Sequence, residues 1–318
     1  MLVSVICIIP GFIIFAANLF PQDAGQQAKL IVVKSKDLPE YEESYKGFMD
    51  TLNKGEFDVN PLVFSLDHLQ YPNENIIDAI EHQQPDLVLT IGSAAAKLIC
   101  GKVTRYPILF LMVLNPERQG ILQNGGHPFP NVSGVCLDIP PEVETEYIKK
   151  SLGQIRKIAI LQHPTDDSTY IESVKRAAMN TDFEVAAGKI KTNEDIPSVL
   201  KNLRNHNDIL WLTANPSLSS FALLKYIFRF CISNNFPILG LSEYHVKAGA
   251  LLAIRADYFD NGEQAGELAL EILRTGPLER QIILSPRKTR LFINRRTADM
   301  LSIDIPPEVL KQADQIME

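Results

Sequence analysis

The sequence predicts an α/β protein of two similar lobes, each built around a parallel sheet. Three observations carry that reading. From residue 29 onward, short apolar runs alternate with segments of helical periodicity. The apolar runs are continuous, the pattern of strands covered by helices on both faces. The rhythm is also repeated: DLVLT (86–90), a helix and YPILFL (106–111) are matched by DILWLT (208–213), a helix and FPILGL (236–241).

Taken in order, LIVV (30–33) reads as a strand, and Tyr41, Tyr45, Phe48, Met49 and Leu52 recur at helical spacing. PLVF (61–64) is a second strand and 74–83 a helix; LVLTI (87–91) leads into an Ala-rich helix starting near Ser93. PILFLM (107–112) and VSGVCL (132–137) complete the first set of strands. The second set is KIAILQ (157–162), FEVAAG (183–188), ILWLT (209–213), PILGL (237–241) and ALLAI (250–254). Helices over 142–152, 167–180, 194–204, 217–234 and 259–274 separate and follow these strands, as βαβ units require. QIIL (281–284) and RLFIN (290–294) give the tail strands with which to pass back through both lobes.

Composition narrows the function. The 318 residues carry 31 Lys+Arg against 38 Asp+Glu, a net charge of -7 without a basic run, which argues against nucleic acid. Residues 2–20 bear no charged side chain and read as the apolar region of a secretory signal, with Ala16 and Ala17 near a cleavage point. The alternatives are an uncleaved membrane anchor and a mis-called start codon. Cys7, Cys100, Cys136 and Cys231 show no CxxC spacing, and the last three sit in apolar stretches as core residues do. No P-loop, G-x-G-x-x-G, G-x-S-x-G or H-E-x-x-H is present, and no two of the six His stand at metal-ligand spacing on a helix. The expectation is a binding protein without catalysis, metal or cofactor.

In open α/β sheets, ligands bind beyond the carboxyl ends of the strands, where helix N-termini offer unpaired N–H groups. Gly92-Ser93-Ala94-Ala95-Ala96 is such a turn. Ser93 reads equally as a plain N-cap and as part of an anion cradle. Leu114-Asn115-Pro116, Ala214-Asn215-Pro216 and Gly240-Leu241-Ser242-Glu243 also follow strands, and each reads either as turn chemistry or as a ligand contact.

The segments IGSAAAKL, NPERQGIL, NVSGV, NDILWLTANPSL, FPILGLSEYHVKAGALLAI, DYFDNGEQAGELALEIL and INRRTADMLSIDIPPEVL occur in an order that resembles the ABC-transporter substrate-binding family, which includes tryptophan- and tyrosine-binding lipoproteins. The resemblance spans about residues 29–310 and is most specific over 236–271 and at IDIPPEVL. It implies a type I periplasmic-binding-protein fold, two Rossmann-like lobes joined by three crossovers. Residues 1–28 are then the signal, 29–137 with about 256–280 one lobe, and 138–255 with about 281–318 the other. It implies an exported, soluble, monomeric periplasmic component of an ABC importer that hands a carboxylate-bearing, amino-acid-like or aromatic solute to a permease. The alternative is a ligand sensor acting through a signalling partner. By the resemblance, Ser93, Ala94 and Ala95 hold the carboxylate, and Tyr41, Asn115, Ser168, Asn215, Ser242 and Glu243 line the cleft. Asn115 and Asn215 stand where the family frequently has Asp, which leaves Glu243 to balance a ligand amine. Thr165, Asp166, Asp167 and Arg255 are further cleft candidates.

Overall fold

The computed structural model describes residues 26–68, 74–163, 168–213 and 220–318. Five strands open the first sheet: β1 (Leu30–Lys34), β2 (Leu62–Ser65), β3 (Leu87–Ile91), β4 (Ile108–Val113) and β5 (Val132–Cys136). Five open the second: β6 (Lys157–Gln162), β7 (Glu184–Lys189), β8 (Ile209–Trp211), β9 (Ile238–Gly240) and β10 (Leu252–Ala256). The tail adds β11 (Ile283–Leu284), β12 (Thr289–Asn294) and β13 (Gln315–Met317). The strand orders are β11-β5-β4-β3-β1-β2 and β7-β6-β8-β9-β10-β12-β13. Through its first five strands each half therefore has the same order, and all of those pairings are parallel.

The repeated Asp and Pro have repeated jobs. Asp86, just before β3, accepts the Lys29 N–H at 2.8 Å and ties that strand to the start of β1. Asp208, just before β8, accepts the N–H groups of Arg156 and Lys157, both at 2.8 Å, and does the same for β6. Pro107 and Pro237 precede β4 and β9, where a missing N–H is tolerated, and their carbonyls accept from Val88 and Leu210.

Strands β1, β3, β4 and β5 are buried along their whole length. One face packs against α2 (Glu74–Gln83) and α3 (Ser93–Ile99) through Ile76, Ile80, Ala96 and Ile99. The other packs against α1 (Pro39–Asn53) and, from much later in the chain, α9 (Tyr258–Thr275) through Phe48, Leu52, Leu268 and Ile272. The α1/α9 seam is close because it is lined by glycine: a Cβ on Gly262 would run into the Ser44 carbonyl, and one on Gly47 into the Phe259 carbonyl. The second sheet is flanked by α4 (Pro141–Ser151), α5 (Ser168–Asn180), α6 (Ile196–His206) and α7 (Phe221–Ser233). A short helix, α8 (Glu243–Lys247), follows β9, and α10 (Arg295–Met300) and α11 (Pro307–Gln312) belong to the tail. Cys100, Cys136 and Cys231 are free and buried, and burial pushes each thiol up to about 12.

The chain crosses between lobes after β5, at Asp257 between β10 and α9, and over 285–288 between β11 and β12. The boundary read from the sequence at about 281 falls a few residues early, because Ile283 and Leu284 still pair with Gly134 and Val135 of the first sheet. Ser133 explains this, because its Oγ accepts the Ile282 N–H at 2.9 Å and recruits the segment to the edge of β5. A second departure is β12, which runs antiparallel to β10, since it enters directly from the other lobe without a crossover helix. The third crossing is pinned by charge: Arg287 Nε meets both Asp260 oxygens at 3.0 Å, Lys288 meets Asp260 at 2.7 Å, and Arg290 meets Asp257 at 2.9 Å.

Candidate functional site

Parallel sheets with this strand order present a crevice beyond the carboxyl ends of their first and third strands. In the first lobe that place is the turn after β3. Gly92 there has φ +89°, and a side chain on it would collide with the Tyr41 hydroxyl and Ser35 Oγ. Tyr41, half-buried, thus packs directly on the predicted turn. Ser35 Oγ accepts the Ala95 N–H at 2.8 Å, so one of the three N–H groups assigned to a ligand anion already has a protein partner. Ser93 Oγ accepts from Gln119 Nε2 at 2.9 Å, and the same amide group donates to the Leu114 carbonyl. This ties the Ser93 turn to the loop after β4. Ala94 stands exposed between them.

Asn115 lies in that loop with φ +50°, a left-handed conformation that Asn tolerates. Its backbone N–H donates to both carboxylate oxygens of Asp138, at 3.0 and 2.9 Å. The neutral side chain at 115 therefore does not leave the cleft without an acid, because Asp138 on the first crossing supplies one. Burial holds the Asp138 carboxyl above the usual carboxylate range, opposed by the Asn115 N–H and the Cys136 thiol. Ser242 precedes α8, and Glu243 is engaged at 3.1 Å by Lys247, which takes up much of the charge that the sequence assigns to a ligand amine. Asn215, the side chain of Ser168, and Thr165, Asp166 and Asp167 lie outside the described residues.

Between the lobes, Leu114, Asn115, Leu137 and Asp138 face Glu144, Tyr170, Arg255 and Tyr258 across a cavity of about 180 Å³. A second cavity of about 180 Å³ adjoins it, sharing Arg255 and Tyr258 and lined further by Glu40, Glu43, Ser242, Glu243 and Tyr244. Arg255 lies over the Tyr258 ring at 4.0 Å and near the Phe292 ring at 5.2 Å, and donates to the Ala256 carbonyl. Glu144 is only 8% exposed. Burial, reinforced by Asp138, pushes its carboxyl up to about 8, and the Trp211 indole partly opposes this. Tyr170 is likewise pushed up by burial and by Glu144 and Asp138.

Asp138 and Glu144 are absent from the residues picked out of the sequence. Glu144 did leave a signal, since it stands four residues before Ile148 and seven before Ser151, on the buried stripe of α4. Asp138 left none, because its position depends on the fold bringing two segments together.

Two duplicated α/β lobes, joined by three crossings and enclosing a cavity where they meet, define the type I periplasmic-binding-protein class. A family model described as "ABC transporter substrate binding protein" matches residues 32–317, and the chain belongs to that family. It is 23% identical over 288 residues to a tyrosine-binding protein of Clostridioides difficile (strain R20291), covering 88% of this chain and 83% of that one. Among solved structures, the ABC domain in complex with L-Trp from Streptococcus pneumoniae shares 22% identity with a TM-score of 0.64, over 92% of this chain and 100% of that one. The ligand-free, open structure of a substrate-binding protein with adhesive properties from Clostridium difficile shares 18% identity with a TM-score of 0.73, over 91% and 99%. No helix of the described residues is long and apolar enough to cross a membrane.

Proposed function

We propose that this chain is the exported solute-capturing component of an ABC importer, and that it binds an amino-acid-like, aromatic solute between its lobes and presents it to a permease. The observation that carries this is the cavity itself. Two acids, Asp138 and Glu144, and one cation, Arg255, line one small chamber with two tyrosine rings and the aliphatic side chains of Leu137, Ile139 and Ile254. A zwitterion with a flat apolar body fits such a lining, and relatives named for tyrosine and L-Trp agree with it.

In this reading the Ser93–Ala94 turn supplies further donors to the carboxylate, and Tyr41, Asn115, Asn215, Ser168, Ser242 and Glu243 frame the entrance. The solute favours the closed arrangement because it touches both lobes at once, and the crossings absorb the motion. The work is binding, without a chemical step. The apolar stretch 2–20 is the export signal, and the mature protein is a periplasmic monomer.

Thermal melts against a panel of free amino acids, with mass spectrometry of small molecules released from the native protein, test the proposal. L-tyrosine or L-tryptophan should raise the Tm in a concentration-dependent way. A panel with no stabilising aromatic amino acid, together with a non-aromatic molecule recovered from the native protein, would overturn the ligand assignment. Recovery of an intact Met1 from a cytoplasmic fraction would overturn export.

A further inference from the structure

The cavity holds more acid than the protein can neutralise. Glu144 is more than nine-tenths buried, lines the chamber, and lies close enough to Asp138 for the two to feel each other's charge. Among the described residues, no cation pairs with the Glu144 carboxyl group, whose hydrogen bond comes from the neutral Trp211 indole. The one cation in the lining, Arg255, is placed over Tyr258 and Phe292 and forms no ion pair with either acid. The other titratable groups facing the chamber are Tyr170 from α5 and Tyr258 from α9, which burial keeps neutral at physiological pH; the Trp211 indole from β8 meets Glu144 without lining the chamber. Two desolvated carboxylates at such close quarters cannot both be charged without a counterion, so one keeps a proton until a cation arrives.

We propose that the solute's ammonium group settles between Asp138 and Glu144 and drives off the proton held by Glu144, so that loading of this protein is coupled to proton release. The exchange balances: the carboxylic acid and the ammonium become a carboxylate–ammonium pair, and one proton passes to solvent. This rests on the reading of the cleft as the site of an amino-acid-like solute and adds to it the group that meets the amine. With the empty protein's Glu144 near 8, binding strengthens as pH rises toward that value. The dependence is at most about tenfold per pH unit.

Calorimetric titration of L-tyrosine and L-tryptophan in two buffers of different ionisation enthalpy counts the protons directly. About one proton should leave per solute at neutral pH in the wild type, and close to none in Glu144→Gln, whose affinity should be flat between about pH 6 and 8. Proton-neutral binding by the wild type, or unchanged release from E144Q, overturns the proposal. So does tight binding of 3-(4-hydroxyphenyl)propionate, which lacks the amine, with the same release. Infrared spectra of the solute-free protein give an independent reading. A carboxylic-acid C=O band at neutral pH should be present and should vanish in E144Q; its absence overturns the proposal whatever binds. If neither amino acid binds while the band is present, the aromatic ligand assignment falls and the stored proton stands.

Discussion

The two lobes share a strand order, and even the Asp and Pro that start equivalent strands, yet their described surfaces toward the cleft differ. In the first lobe the polar groups are largely paired within the protein: Ser35 with Ala95, Gln119 with Ser93, Asn115 with Asp138. In the second, Glu144 and Arg255 reach the cavity outside any ion pair among the described residues. The first lobe is a preformed wall, stiffened by the α1/α9 seam; the second brings the charge. A repeated backbone thus fixes where a ligand sits, while the residues on each copy decide what holds it.

The largest expected effect breaks the wall. Gly262→Leu must push α9 away from the Ser44 carbonyl, a backbone atom that cannot rotate aside. The cost is about 3 kcal/mol or more, read as a Tm lowered by roughly 6–12 °C. Gly188 in the second lobe faces only the side chains of Val199 and Leu203, so Gly188→Ala should cost about 1 kcal/mol. Equal losses would remove the distinction between a backbone-locked and a side-chain-packed lobe.

Binding sharpens the comparison next. Arg255→Ala removes the cavity's cation and should weaken L-tyrosine or L-tryptophan by about 10- to 100-fold. Ser93→Ala should cost about tenfold or less, because its hydroxyl is already held by Gln119. Calorimetry that reverses this ranking would place the main anion contact in the first lobe.

A smaller effect follows from pH. The Glu144 carboxyl, raised in the fold to about 8 from 4.5, keeps a proton that the unfolded chain releases. Its contribution to stability is therefore complete below about pH 4.5 and is lost as pH climbs through about 8. Glu144→Gln should match the wild type near pH 5 and melt a few degrees higher above pH 8. A constant Tm difference across that range would show that Glu144 does not titrate there. The smallest response is expected of the thiols. Cys100, Cys136 and Cys231, buried and pushed up to about 12, should resist alkylation in the native protein and react together on unfolding.

Much of this architecture was legible in the sequence. The duplicated Asp-strand-helix-Pro-strand unit announced two equivalent sheets, because each of its residues answers a local backbone need. That QIIL is a strand of the tail was legible, but which sheet Ile283–Leu284 join was not: what recruits them is a serine far away in sequence, Ser133. The turn at Gly92 was recognisable, since only glycine fits its positive φ beside Tyr41. The acids of the cavity were harder. Glu144 stands on α4 between two other acids, Glu142 and Glu146, of which it alone is buried, and Asp138 matters only because folding carries it to Asn115.

The α1/α9 seam also sets an order of events. The apolar face that Phe48 and Leu52 present is covered by Ala265, Leu268 and Ile272, which the ribosome makes only after the five parallel strands of the second lobe. During synthesis the first helix therefore waits uncovered while β6 to β10, continuous in sequence with their helices, are all made, and only the tail strands β12 and β13 of that sheet are still to come. Pulse-labelled amides should become protected in β6–β10 before α1. The long excursion through the second lobe thus also leaves the apolar face of the earliest helix open until α9 is made.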